Sequence, residues 1–251
     1  LIVLVFAGDY LVRGAVGLAE KLSIDPLIIG LTIVAFGTSA PELFVSLQAA
    51  FDGVSGIAIG NVVGSNTANI LLILGIAALI APVPVDADGF RRDAPALAFS
   101  TLAAIGVSMT GEYGRIAGGA FLAALAVYIA FAYMTEKRAA QAQLLDIPHE
   151  ARRPVIPSLA YAILGLGLLI GGAKLLVTGA VGIATAFNVS ETLIGLTLVA
   201  VGTSLPELVT SVVASLRGKS DLAFGNIVGS NIYNILGILG ATAIIHPVSA
   251  P

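Results

Sequence analysis

The sequence predicts an all-α membrane protein, an inverted-topology repeat of five transmembrane helices per half, with eight helices present in this chain. Three observations carry the prediction: a composition too apolar for a soluble domain, eight apolar stretches of spanning length, and one set of motifs written twice at a fixed offset. Of the 251 residues, 57% are hydrophobic and 11% charged, and the mean hydropathy is +1.01. A soluble domain needs about a quarter of its residues charged to cover its surface. The 29 glycines fit helices packed in lipid. A net charge of -3 excludes a basic nucleic-acid binder. The absence of cysteine removes disulfides, thiol catalysis and cysteine-held metals.

A hydrocarbon layer about 30 Å thick takes about 20 apolar residues of helix. The stretches are 1–18, 27–50, 57–81, 94–110, 116–134, 158–184, 193–216 and 222–245. Turn signals at Ser23-Ile24-Asp25-Pro26, Asp52-Gly53 and Pro82-Val83-Pro84 separate the early ones. Segment 135–157 is the one linker, kept in water by Glu136, Lys137, Arg138, His149, Arg152, Arg153 and three prolines. It divides the chain into 1–134, with helices one to five and motifs at 30–75, and 158–251, with helices six to eight and motifs at 195–240. Both ends read as cut. Leu1 already stands in an apolar run with no signal-peptide pattern, and Pro251 follows another such run.

Charge on the connections orients the helices. One side collects Arg13, Lys21, Arg91, Arg92, Lys137, Arg138, Arg152, Arg153, Arg217 and Lys219; the other holds Arg115 and Lys174. The linker is therefore cytoplasmic, in what reads as a prokaryotic inner membrane, and the first helix starts outside.

The motifs repeat without a gap. Ile29-Gly30-Leu31-Thr32 returns as Ile194-Gly195-Leu196-Thr197, and Gly37-Thr38-Ser39-Ala40-Pro41-Glu42-Leu43 returns as Gly202-Thr203-Ser204-Leu205-Pro206-Glu207-Leu208. Gly60-Asn61-Val62-Val63-Gly64-Ser65-Asn66 returns as Gly225-Asn226-Ile227-Val228-Gly229-Ser230-Asn231, and Asn69 as Asn234. Every pair is 165 residues apart. The second copy starts five spans after the first, an odd number, so equivalent helices cross in opposite directions. That architecture belongs to many secondary transporters.

The repeated residues carry chemistry. Pro41 withdraws an N–H from the helix and Gly37 eases its distortion, so the helix breaks near mid-membrane; Gly202 and Pro206 repeat the break. Carbonyls freed there must be buried or line a hydrated cavity. Thr38, Ser39 and Glu42, with Thr203, Ser204 and Glu207, supply hard oxygens suited to Na⁺ and Ca²⁺. On the next helices Asn61, Ser65 and Asn69 stand four apart, as do Asn226, Ser230 and Asn234, with Asn66 and Asn231 beside them. Gly60 and Gly64, like Gly225 and Gly229, form G-x-x-x-G pairs that let backbones approach. An ionised carboxylate mid-membrane costs several kcal/mol unless paired, so Glu42 and Glu207 mark function.

These motifs resemble the two alpha repeats of the cation/calcium exchanger superfamily, in its prokaryotic sodium/calcium exchanger branch. The likeness covers nearly the whole chain and implies a ten-helix fold. It implies ion ligands from Thr38, Ser39, Glu42, Ser65 and Asn69, from Thr203, Ser204, Glu207, Ser230 and Asn234, and from the carbonyls of Ala35 and Ala200. Archaeal and animal exchangers carry Asp where this chain has Asn234, so this site holds two carboxylates instead of three. In that family helices one and six slide across the rest; Asp9 and Lys174, equivalent under the repeat, are candidates for gating or simply interfacial groups.

The implied function is antiport of Ca²⁺ for Na⁺ by alternating access, with those ions as cargo, no cofactor, lipid as the surrounding partner and a monomeric state. The alternative keeps the fold and draws on H⁺ or K⁺. An intramembrane hydrolase built on Ser39 or Ser204 lacks a base, since His149 and His246 share no helix with either serine. A channel is disfavoured by the inverted repeats and broken helices.

Overall fold

The computed structural model describes residues 2–22, 26–83, 87–143, 155–187 and 200–250. Residues 23–25, 84–86, the linker core 144–154 and the motif Ile194–Thr197 fall outside that set. Helix α1 covers Ile2–Leu22. The next span is built from α2 (Pro26–Ile29), a π-helical segment Gly30–Val34, α3 (Ala35–Thr38) and α4 (Ala40–Phe51). Then come α5 (Ser55–Ala68), a second π segment Asn69–Ile73 and α6 (Leu74–Ile80). Helices α7 (Ala87–Ser108) and α8 (Arg115–Gln143) close the first half.

The second half holds α9 (Val155–Ala186), α10 (Ala200–Thr203) and α11 (Leu205–Leu216). It ends on α12 (Ser220–Ile232), a π segment Tyr233–Leu239 and α13 (Gly240–Ile245). Two short strands, β1 (Glu112–Tyr113) and β2 (Val248–Ser249), pair antiparallel with Tyr113 opposite Val248.

Five helices among the described residues are long and apolar enough to span a bilayer: Ile2–Leu22, Gly56–Ile80, Arg115–Thr135, Val155–Ala184 and Ser220–Ile245. Leu27–Thr38 and Ala40–Phe51 together make a sixth, bent by 43°. The expected span at 94–110 differs from the helix observed. α7 begins at Ala87, and its first turns carry Asp88, Arg91, Arg92 and Asp93, which lower its apolarity. Arg92 and Asp93 are buried among protein groups. Arg92 clasps Asp93 through two bonds of 2.6 and 2.8 Å, and Tyr128 of α8 donates to the same carboxylate at 3.0 Å.

Inversion is visible in α1 and α9, equivalent helices that run antiparallel. Gly14 lies on the backbone of Ser158 and Ala162, Gly165 on that of Ala7 and Leu11, and Gly172 on Leu4. A methyl group at Gly14 or Gly165 would overlap backbone atoms, so these glycines set the helix separation. The outer faces are apolar, with Leu79 and Ile116 about nine-tenths exposed, as lipid-facing side chains must be. The span Ser220–Ile245 is the central post, 83% buried, against 22% for its repeat equivalent Gly56–Ile80. α8 produces part of that difference by packing along the Tyr233–Leu239 segment and α13, where Gly118 meets the Gly240 carbonyl.

Candidate ion-binding site

Both breaks have one geometry. Ser39 leaves the helix at φ -81°, ψ 5°, and Ser204 at φ -86°, ψ 8°. A new helix starts at the next residue in each case, with Pro41 and Pro206 in its first turn, where a missing N–H costs nothing. Glu42 and Glu207 thereby occupy first turns, at the positive end of a helix dipole, which favours a carboxylate. The role expected of Gly37 and Gly202 is to ease distortion of the helix. The structure assigns them another: neither has positive φ, and each gives room to α9, Gly37 to Leu166 and Gly202 to Val177.

The serines do not cap their own helices. Ser39 Oγ donates to Glu207 Oε1 at 3.1 Å, and Ser204 Oγ donates to Glu42 Oε1 at 3.1 Å. Thr38 and Thr203 flank the carboxylates in the same crossed sense. Thr38 Oγ1 also reaches Asn226 Oδ1 at 3.2 Å and the Ala35 carbonyl at 3.4 Å. That carbonyl already accepts the Ser39 N–H at 3.0 Å; Ala200 stands at the matching place in α10. Thr38, Ser39, Glu42, Ser204 and Glu207 are all buried, with no more than 3% of any exposed.

The asparagines divide into two groups. Asn61 Nδ2 donates to the Glu42 carbonyl and to Ser46 Oγ, both at 2.9 Å. Asn226 Nδ2 makes the equivalent bonds to the Glu207 carbonyl at 3.4 Å and to Ser211 Oγ at 3.0 Å. These two tie each broken helix to its neighbour. Ser46 and Ser211 lie outside the repeated motifs, although they too stand 165 apart in apolar helices.

Asn69 and Asn234 face inward. Asn69 Nδ2 donates to Asn231 Oδ1 and Asn234 Nδ2 to Asn66 Oδ1, each at 3.0 Å, while Asn66 Nδ2 donates to the Asn231 carbonyl at 3.0 Å. With their amino groups committed, Asn69 and Asn234 keep carbonyl oxygens that have no partner among the described residues. Both lie at or beside the start of a π segment, the wide turn that often marks functional positions.

Six buried oxygens of this cluster have no hydrogen-bond partner among the described residues: Glu42 Oε2, Glu207 Oε2, Ser65 Oγ, Ser230 Oγ, Asn69 Oδ1 and Asn234 Oδ1. They form three symmetry-related pairs from four spans. Buried polar atoms left unsatisfied cost about 1–3 kcal/mol each. An all-oxygen set carrying two carboxylates has the chemistry that suits a hard cation.

Other sequence candidates sit elsewhere. Gly225 and Gly229 bring α12 onto the carbonyls of Leu27 and Leu31. The images of those contacts, Thr192 and Leu196, lie outside the described residues, and among the described residues nothing approaches Gly60 or Gly64. Asp9 pairs with Arg13 at 2.8 Å and with Arg217, away from the oxygen cluster, and Lys174 is exposed. His246 is exposed at the end of α13, with its ring 3.1 Å from the Pro247 carbonyl.

Two broken helices exchanging hydrogen bonds across a pseudo-two-fold, around buried hard oxygens, define an inverted-repeat secondary transporter of cations. The chain belongs to the sodium/calcium exchanger protein family, whose model matches residues 1–134 and 157–251. It is 42% identical over 251 residues to the putative antiporter CaxA of Alkalimonas amylolytica, covering 98% of this chain and 79% of that protein. Identity to the inner membrane protein YrbG of Escherichia coli is 39% over 258 residues, covering 98% and 78%. The structure of the sodium-calcium exchanger NCX_Mj soaked with Na⁺ and Ca²⁺ superposes with a TM-score of 0.87 at 34% identity, covering 99% of this chain and 80% of that one. The chain is thus an integral, multi-pass membrane protein.

Proposed function

We propose that this protein exchanges Ca²⁺ for Na⁺ across the membrane by alternating access, using the six-oxygen cluster as its ion site. Family membership and the likeness to NCX_Mj support the reaction. The observation that carries the site is the crossed pair of bonds, Ser39 to Glu207 and Ser204 to Glu42. It brings both carboxylates to one buried place and leaves one oxygen of each free for a cation. Glu42, Glu207, Ser65, Ser230, Asn69 and Asn234 are the principal ligands. Thr38, Ser39, Thr203 and Ser204 complete the shell by turning their hydroxyl oxygens, with the carbonyls of Ala35 and Ala200 behind them. Asn61, Asn66, Asn226 and Asn231 hold those groups in place. The protein works as a monomer, with its 135–157 linker in the cytoplasm.

Competition between ions drives the cycle. Glu42 and Glu207 supply a charge of about -2, which one Ca²⁺ or two Na⁺ neutralise. Loading both kinds at once leaves excess positive charge in low dielectric, costing several kcal/mol. Each ion therefore displaces the other. The test is uptake of radioactive Ca²⁺ into Na⁺-loaded vesicles holding the full-length protein: uptake that collapses with the Na⁺ gradient is expected, and uptake indifferent to Na⁺ refutes the reading.

A further inference from the structure

The α1–α9 pair touches both halves, but its contact with α11 has no counterpart on α4. Gly8 of α1 sits against Val209 and Val213 of α11, and Asp9 pairs with Arg217 just beyond the end of α11. The 165-residue repeat maps Gly8 to Ala173, Asp9 to Lys174, Val209 to Phe44, Val213 to Gln48 and Arg217 to Asp52. An acid–base pair is thus mapped onto a base–acid pair with its signs reversed.

The image contact is not made in this structure. α9 has little contact with α4, and Phe44, the image of a packed valine, is 70% exposed. Asp52 is exposed and, among the described residues, its carboxylate accepts only from Gln48 of its own helix, at 3.0 and 3.1 Å. Lys174 is exposed and makes no ion pair among the described residues.

In an inverted repeat the alternate state is reached by exchanging the conformations of the two halves. We infer that Asp9–Arg217 and Lys174–Asp52 are reciprocal latches: the first holds the α1–α9 pair on α11 in the state seen here, and the second holds it on α4 in the opposite state. The inference rests on the alternating-access exchange proposed above. The reversal of sign has a purpose. Asp9 cannot pair with Asp52, nor Lys174 with Arg217, so each latch serves one station. Arg13 reinforces the first from α1 itself, while its image Thr178 carries no charge, which biases the pair toward the state observed. Such partly exposed pairs shift a two-state balance by about two- to fivefold rather than lock it.

These 251 residues contain no cysteine, so introduced thiols are the reactive groups within them. Asp52→Cys with Lys174→Cys is reconstituted in vesicles, assayed for exchange, and treated with a short bis-methanethiosulfonate during turnover. The inference requires a cross-link that stops exchange and is reversed by reductant. It also requires the cross-linking rate to rise about two- to fivefold when Asp9→Asn opens the first latch. A protein that exchanges Ca²⁺ but does not cross-link, or whose cross-linking ignores Asp9→Asn, overturns it. If the paired cysteines themselves stop exchange, the charge-swapped protein decides. Asp52→Lys with Lys174→Asp must recover exchange that Asp52→Lys alone loses, and failure to recover refutes the pair. Failure of the unmodified protein to exchange Ca²⁺ counts against the function instead, and cross-linking still reads the two stations.

Discussion

The hydroxyl of Ser39 reaches across the molecule to Glu207, 3.1 Å away, and does not cap its own helix. Ser204 and Glu42 repeat the relationship. Each broken helix is therefore completed by the other, and the buried oxygen cluster exists only where the two halves meet.

Glu42→Gln and Glu207→Gln should each abolish Ca²⁺ exchange while leaving the protein in the membrane. An amide keeps an acceptor for the serine but removes an anionic ligand. The check is Na⁺-dependent Ca²⁺ uptake normalised to inserted protein. Near-normal transport by either variant would make that glutamate structural.

Ser39→Ala and Ser204→Ala should behave as a matched pair. Each removes one hydrogen bond to a buried carboxylate, worth about 1.5–3 kcal/mol. That corresponds to roughly ten- to a hundredfold in apparent Ca²⁺ affinity. Concentration dependence of uptake measures it. A large loss from one serine beside none from the other would contradict the crossed arrangement.

Exchange should lie closer to electroneutral than in relatives with a third carboxylate, because two carboxylates balance one Ca²⁺ or two Na⁺. Ca²⁺ flux with the membrane potential clamped by K⁺ and valinomycin tests this. Flux that follows the potential steeply would defeat the two-carboxylate account.

Asn234→Asp should tighten cation binding by adding an anionic ligand, and the structure attaches a condition. Asn234 now donates to Asn66 Oδ1, and an aspartate cannot. Asn66 must turn its amide to donate instead, giving up the Asn231 carbonyl. Combining Asn234→Asp with Asn66→Ala should therefore cancel the gain, as titration calorimetry with Ca²⁺ would reveal.

Gly37→Leu should damage the protein far more than Pro41→Ala. Leu166 of α9 fills the space beside Gly37, whereas Pro41 sits in a first turn that tolerates other residues. Thermal unfolding in detergent, followed with uptake, ranks the two. A larger loss from Pro41→Ala would restore proline as the cause of the bend.

The duplicated motifs made the broken helices, both carboxylates and the inner asparagines legible without coordinates. Their spacing alone places Asn61, Ser65 and Asn69 on one stripe. Other features were hidden because they depend on distant contacts. Arg217 lies 208 positions from Asp9 in the chain, and nothing local to either announces the pairing. The role of Gly37 depends on the passage of Leu166, which no pattern around Gly37 encodes. Nor does composition separate the π turn at Asn69 from an ordinary helical one. Ser46 and Ser211 were within reach, since the same offset links them.

The short pairing of Glu112–Tyr113 with Val248–Ser249, together with the packing of α8 against α13, has a consequence for biosynthesis. During translation the turn before α8 emerges more than a hundred residues ahead of its strand partner. At ribosomal speeds of about 5–20 residues per second, that interval is on the order of ten seconds. Throughout it the α8 face bearing Leu122 and Leu125 must be sheltered by lipid or by the insertion machinery. The nascent first half is thus an obligate intermediate, and a pause placed between the halves should lengthen its exposure to membrane proteases.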